Sequence, residues 1–148
     1  MDTNLLLLLV VGSASREYIS KHKRLRAYSE RDFDLLIELI SPAPSILVTP
    51  NTLTETSNLI GYIADPARTR ILNVFCDFIR AFDEHYCQSR QAISRKEFIR
   101  LGLTDSVLLH ETIDSFFLLT ADLNLYLAAL NEGYPVANFN HFRDAAYK

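Results

Sequence analysis

The chain has 148 residues, 49% of them apolar and 22% charged, and carries a net charge of −3. That length and composition fit a single globular domain over residues 1–148 with room for a substantial core. The slight acidic excess argues against a passive nucleic-acid binder, which is normally basic, but not against an enzyme that gathers carboxylates around a cation.

The chain opens with MDTNLLLLLVVG. The apolar run Leu5 to Val11 covers seven residues, whereas a membrane-spanning helix needs about twenty. A secretory leader needs basic residues ahead of its apolar run. Here Met1, Asp2, Thr3 and Asn4 precede it and the first basic residue is Arg16. These exclusions point to a cytoplasmic protein without membrane association. Asp2, Thr3 and Asn4 are all N-cap types, and Leu favours helix over strand, so a helix is predicted to start there and to be interrupted at Gly12 and Ser13. Periodicity alone also allows Leu5–Val11 to be a strand.

SREYISKHKRLRAY follows, polar and basic. Its SKHKRLR core reads as a solvated face or, functionally, as a phosphate-steering patch, with Tyr18 and Tyr28 as residues able to stack on bases. SERDFDLLIELI combines a Ser29 cap, Asp32 at the capping-box position and a Phe33, Leu36, Ile37, Ile40 stripe, which predicts an amphipathic helix. SILVTP is a β-branched run between prolines and predicts a buried strand. NTLTETSNLIGYIA predicts a helix capped at Asn51 or Thr52. A longer helix is expected from Asp65–Pro66 to about Tyr86, its stripe of Ile71, Val74, Phe75, Phe78, Ile79 and Phe82 forming core. SRKEFIRLGLTDSVLLHETI reads as a loop with a short turn and then a helix capped at Thr104. SFFLLTAD is a second buried strand, LNLYLAALNEG a helix closed by Gly133, PVANF a third strand and HFRDAAY a terminal helix. Apolar strands alternating with helices predict an α/β fold with a mainly parallel sheet.

Cys76 and Cys87 stand eleven apart within one expected helix, about 16 Å along its axis, too far for a disulfide. A reducing compartment follows. His22, His85, His110 and His141 are scattered, with no Cys/His zinc spacing. There is no nucleophile-elbow motif, and four glycines cannot build a dinucleotide-binding fingerprint.

Four acids stand at element junctions. Asp2 precedes a helix, Glu55 lies one turn into the helix after SILVT, Asp105 sits in a first helical turn, and Asp122 directly follows FFLLTA. Each alone could simply favour a helix dipole. Together they suit a hard cation: Mg²⁺ and Mn²⁺ prefer oxygen ligands, and clustered carboxylates repel one another without one. Such a site activates water for displacement at phosphorus. Arg95, Lys96 and Arg100 precede the third acid and are candidate RNA contacts.

MDTNLLL, VTPNTLTETSNL, LGLTDSVLL and LLTADLNLY…NEGYPVANF, in that order over nearly the whole chain, resemble the successive motifs of PIN-domain nucleases. The resemblance implies a Rossmann-like α/β/α sandwich that cuts RNA with Mg²⁺ or Mn²⁺. It implies Asp2, Glu55, Asp105 and Asp122 as the catalytic and metal-binding acids, Asn4 as support for the first, and Thr120 lining the site before the last. Many family members are toxins of toxin–antitoxin pairs, so the resemblance also implies a protein antitoxin and a homodimer. The family carries a hydrophobic strand ahead of its D-T-N triplet. Only Met1 precedes Asp2 here, so the first strand is expected to be truncated. The alternative reading is a catalytically inactive PIN-like protein-interaction module.

Overall fold

The structure is a computed structural model that describes residues 1–112 and 116–148. The Leu-rich run is a helix, α1 (Thr3–Ala14). Asp2 caps it by accepting the Leu5 N–H at 2.9 Å, a contact worth about 1 kcal/mol. Leu5 to Val11 are all at most 2% exposed, so α1 is apolar on every face because it is the centre of the molecule. Burying those side chains contributes roughly 10–20 kcal/mol as an upper bound. Around α1 pack α2 (Glu17–Lys21), α3 (Glu30–Ile40), α4 (Pro50–Ile60) and α5 (Ala67–Ala81).

Local signals set these helices. Ser29 and Asp32 form the expected capping box on α3. Asp32 is also gripped by the last helix, α10 (Phe139–Ala146): Arg143 Nε donates to it at 2.6 Å and the Tyr147 hydroxyl at 2.7 Å. Burial pulls the Asp32 carboxyl upward, but bonds from Tyr147, Arg143 and Ser29 outweigh it and hold the group below its ordinary pKa. In α4 the cap is Thr49, paired reciprocally with Thr52, and Pro50 takes the first helical position. α5 ends at Ala81, so Cys76 and Cys87 do not share a helix; Cys76 is exposed, Cys87 is buried, and both are free thiols.

The expected Rossmann-like sandwich with a mainly parallel sheet is not what forms. Of the described residues 63% are helical. Among the described residues its strands make two separate two-stranded parallel sheets. β1 (Leu47–Val48) pairs with β2 (Asp83–Glu84), and β3 (Leu118–Thr120) pairs with β4 (Val136–Asn138). Between the two pairs, Asp2 caps α1 and its N–H bonds Leu119 O of β3 at 3.3 Å. An apolar cavity of about 530 Å³, lined by Met1, Leu47 and Leu119 among others, separates the two pairs. SILVTP and SFFLLTAD yield two and three paired residues. β2 is charged and exposed and carried no local strand signal.

The second half of the chain contains α6 (Ser89–Ala92), α7 (Phe98–Leu101), α8 (Leu103–Glu111) and α9 (Leu123–Asn131). Gly102, not Thr104, precedes α8, and Gly133 at φ +75° follows α9. Leu108, Leu109, Leu118, Leu125, Ala128 and Ala129 join α8, β3 and α9 into a second core. The expected end of the helix at Ile113 and the start of the strand at Ser115 lie outside the described residues. Among the described residues no helix is long and apolar enough to cross a membrane.

Candidate active site

The first acid is held from α1 and from the β3–α9 junction. Asp2 Oδ1 accepts the Leu5 N–H. Oδ2 accepts the Thr120 hydroxyl at 2.5 Å and the Ala121 N–H at 2.7 Å. Thr120 is the last residue of β3, and its Oγ1 accepts the Asp122 N–H at 3.0 Å. Asp122 in turn caps α9 through the Leu125 N–H at 2.9 Å. One hydroxyl thus couples the first and last acids. Thr120 is fully buried beneath the site rather than lining it.

Glu55 is exposed on α4, where Thr3 at the start of α1 donates its hydroxyl to Oε2 at 2.9 Å. Asp105 lies in the first turn of α8. Gly102 makes that placement possible: at φ +81° and ψ −179° it occupies a region nearly reserved for glycine, and it lets α7 break sharply into α8.

These elements surround a cavity of about 300 Å³ lined by Asp2, Glu55, Asp105 and Asp122 together with Thr3, Asn4, Arg24, Asn58 and Leu59. The charge is lopsided, four carboxylates against one guanidinium. Burial, and then the charges of Asp122, Asp2 and Glu55, push the Asp105 carboxyl up to about 7. The all-oxygen donor set and this mutual repulsion fit a hard dication. Among the described residues no three of these acids bring oxygens within 4.8 Å of one another. The acids thus share a cavity without forming a compact set of ligand oxygens.

The basic residues are arranged differently from expectation. Arg95 stacks on Tyr134 and lies 3.5 Å from Glu97, and Lys96 pairs with Glu132 at 2.7 Å. Arg100 is exposed on α7, and none of the three lines the cavity. The cation that does is Arg24, from the SKHKRLR run, its guanidinium over the Tyr62 ring at 5.9 Å. Asn58 stands one turn from Glu55 on α4, a spacing that puts both on one face and was available from the sequence. Tyr18 is buried and accepts a bond from Arg70, while Tyr28 packs near Phe139 under Arg143, so neither is an open stacking platform.

Comparison with protein-family models, with curated proteins and with solved structures finds no match to this chain. The functional reading therefore rests on the geometry and on the motif resemblance.

Proposed function

We propose that this protein is a metal-dependent ribonuclease with a PIN-like set of acids. The observation that carries the reading is the convergence of Asp2, Glu55, Asp105 and Asp122, spread over 120 positions of sequence, on one cavity that also contains Arg24. Bound Mg²⁺ or Mn²⁺ supplies water activation and charge neutralisation for in-line displacement at phosphorus. Asp105 and Asp122, at the starts of α8 and α9, and Glu55 on α4 offer oxygens to the ion. Asp2 anchors the arrangement, both of its oxygens fixed by donors from α1 and from the β3–α9 junction. Arg24, at the rim, suits a backbone phosphate of the substrate, which four unscreened carboxylates would repel. The assignment as a cytoplasmic toxin with a protein antitoxin, and as a homodimer, rests on the resemblance alone.

The bonds that occupy both Asp2 oxygens favour a second reading, a non-catalytic interaction module, because they leave that acid little freedom to serve an ion. Incubating the purified chain with structured and unstructured RNA, with Mg²⁺, with Mn²⁺ and with EDTA, separates the two. The ribonuclease reading expects cleavage with either ion and none with EDTA. Intact RNA under every condition, from a folded protein that also binds neither ion, would overturn it in favour of the interaction module.

A further inference from the structure

At the far end of α8 from Asp105, about 7–9 Å along the helix axis, lies a chemically different cluster. Cys87, His110 and Glu111 bring Sγ, an imidazole nitrogen and a carboxylate oxygen within 4.8 Å of one another. We propose that these three side chains form a binding site for a borderline transition-metal dication of the zinc class, separate from the acid pocket.

The donor set argues for that class. Thiolate and imidazole select zinc, cobalt or copper over magnesium and calcium. Tetrahedral zinc with sulfur and nitrogen donors places its ligands roughly 3.5 Å apart, so a trio lying within 4.8 Å closes by at most about 1.3 Å per pair. Three protein ligands leave a fourth position for water. A second layer of contacts is also in place. The Glu111 carboxylate meets His85 Nδ1 at 3.2 Å, and the His85 ring packs edge-on to Phe116 at 5.1 Å. The backbone N–H of His85 is pinned to Val48 O at 2.9 Å, so this imidazole holds Glu111 in place from β1. Cys87 itself is buried against Ala92 and Val107, and among the described residues its thiol makes long contacts, to Gln88 O at 3.5 Å and Gln91 Oε1 at 3.9 Å.

Binding exchanges the Cys87 thiol proton for a sulfur–metal bond, the proton passing to solvent, with no change in oxidation state. The result is a staple between the segment after β2 and the last turn of α8. The site stands on residues that the acid pocket does not use, so it holds whether or not the pocket cuts RNA.

The test is a Co²⁺ titration of the metal-free 148-residue chain in excess Mg²⁺, read by absorption. One equivalent should give a thiolate-to-cobalt charge-transfer band and tetrahedral d–d bands, both bleached by Zn²⁺. The band should be absent in Cys87→Ser, and affinity should fall at least about 10-fold in His110→Ala and Glu111→Gln. It should persist in Cys76→Ser, which changes the exposed thiol of α5, and in Asp105→Asn. Zn²⁺ should also raise the melting temperature of the native chain but not that of Cys87→Ser. If Cys87→Ser does not fold, the part-exposed His110→Ala carries the comparison. No charge-transfer band, a band that survives in Cys87→Ser, or one that vanishes in Cys76→Ser would overturn the proposal.

Discussion

Thr120 and Asp2, 118 positions apart, share a hydrogen bond of 2.5 Å, and the same threonine oxygen accepts the Asp122 N–H. The hydroxyl is both donor and acceptor, fully buried, and ties the start of α1 to the start of α9. Thr120→Val keeps the shape and removes both bonds. It should cost about 1–3 kcal/mol, because the Asp122 N–H loses its acceptor and Asp2 loses a donor. Thermal unfolding of a domain this size should then shift down by roughly 2–4 °C per kcal/mol. Thr120→Ser should restore most of the loss; a serine variant as unstable as the valine one would assign the effect to packing instead.

Asp105 is the acid most burdened by its neighbours, and the burden has a pH signature. Its carboxyl titrates near 7 in the metal-free fold against an ordinary value of 3.8. Below about pH 4 the group is protonated in both folded and unfolded chains and imposes no penalty. As pH rises from about 4 to about 7 the unfolded chain ionises first, so this contribution to stability is lost, and above 7 the penalty is constant. The loss is roughly 2–4 kcal/mol, measured as urea midpoints across that range. Millimolar Mg²⁺ or Mn²⁺ should flatten the profile. An unchanged slope with either ion would remove the dication from the pocket.

Neutralising the same residue separates stability from activity. Asp105→Asn keeps the size of the side chain and removes one of four crowded charges. The metal-free variant should be more stable at pH 7 by about 1–3 kcal/mol. Its RNA cleavage should drop by roughly 100-fold or more. A variant that cleaves as fast as the parent would end the assignment of Asp105 to the reaction.

Arg24 should govern substrate binding. Arg24→Ala should raise KM for RNA by about 3–10-fold with kcat little changed, and should lower the salt dependence of binding by about 0.7 in the log–log slope, as expected for one lost single-strand phosphate contact. Lys96→Ala, which breaks a pair with Glu132 away from the cavity, should leave both unchanged. Equal effects from the two variants would point to a diffuse charge field.

Gly12 tests the packing of α1. Glycine inside a helix costs about 1 kcal/mol relative to alanine, so Gly12→Ala would stabilise an open helix. Here an added Cβ would run into the Phe33 ring well inside van der Waals contact. Overpacking of about 1–3 kcal/mol should outweigh the helical gain, giving net loss in chemical denaturation. Phe33→Leu in the same background should recover part of it.

Much of the site was legible because its acids obey local rules. Asp2 and Asp122 cap helices, and Asp105 sits in a first turn, so each announces itself within four residues of sequence. Which cation lines the cavity was not legible. Arg95 and Lys96 lie close to Asp105 in the chain, but Glu97 and Glu132 already hold them, while Arg24 arrives from a distant segment. The Cys87 cluster was hidden for the same reason: Cys87 lies 23 positions before the adjacent His110 and Glu111, in the segment after β2, with no recognised metal-ligand spacing to read.

By itself the sequence determined the longer helices. Capping residues, the apolar run of α1 and the stripe of α3 specify helix through bonds and burial that close within a few residues. Tertiary structure alone decided the sheets, the partners of each charge and the convergence of the acids. A strand exists only where a distant strand lies beside it, and a carboxylate acquires its titration from neighbours that only folding brings near. That is why SILVTP became two paired residues, and why four separated acids came to share one cavity.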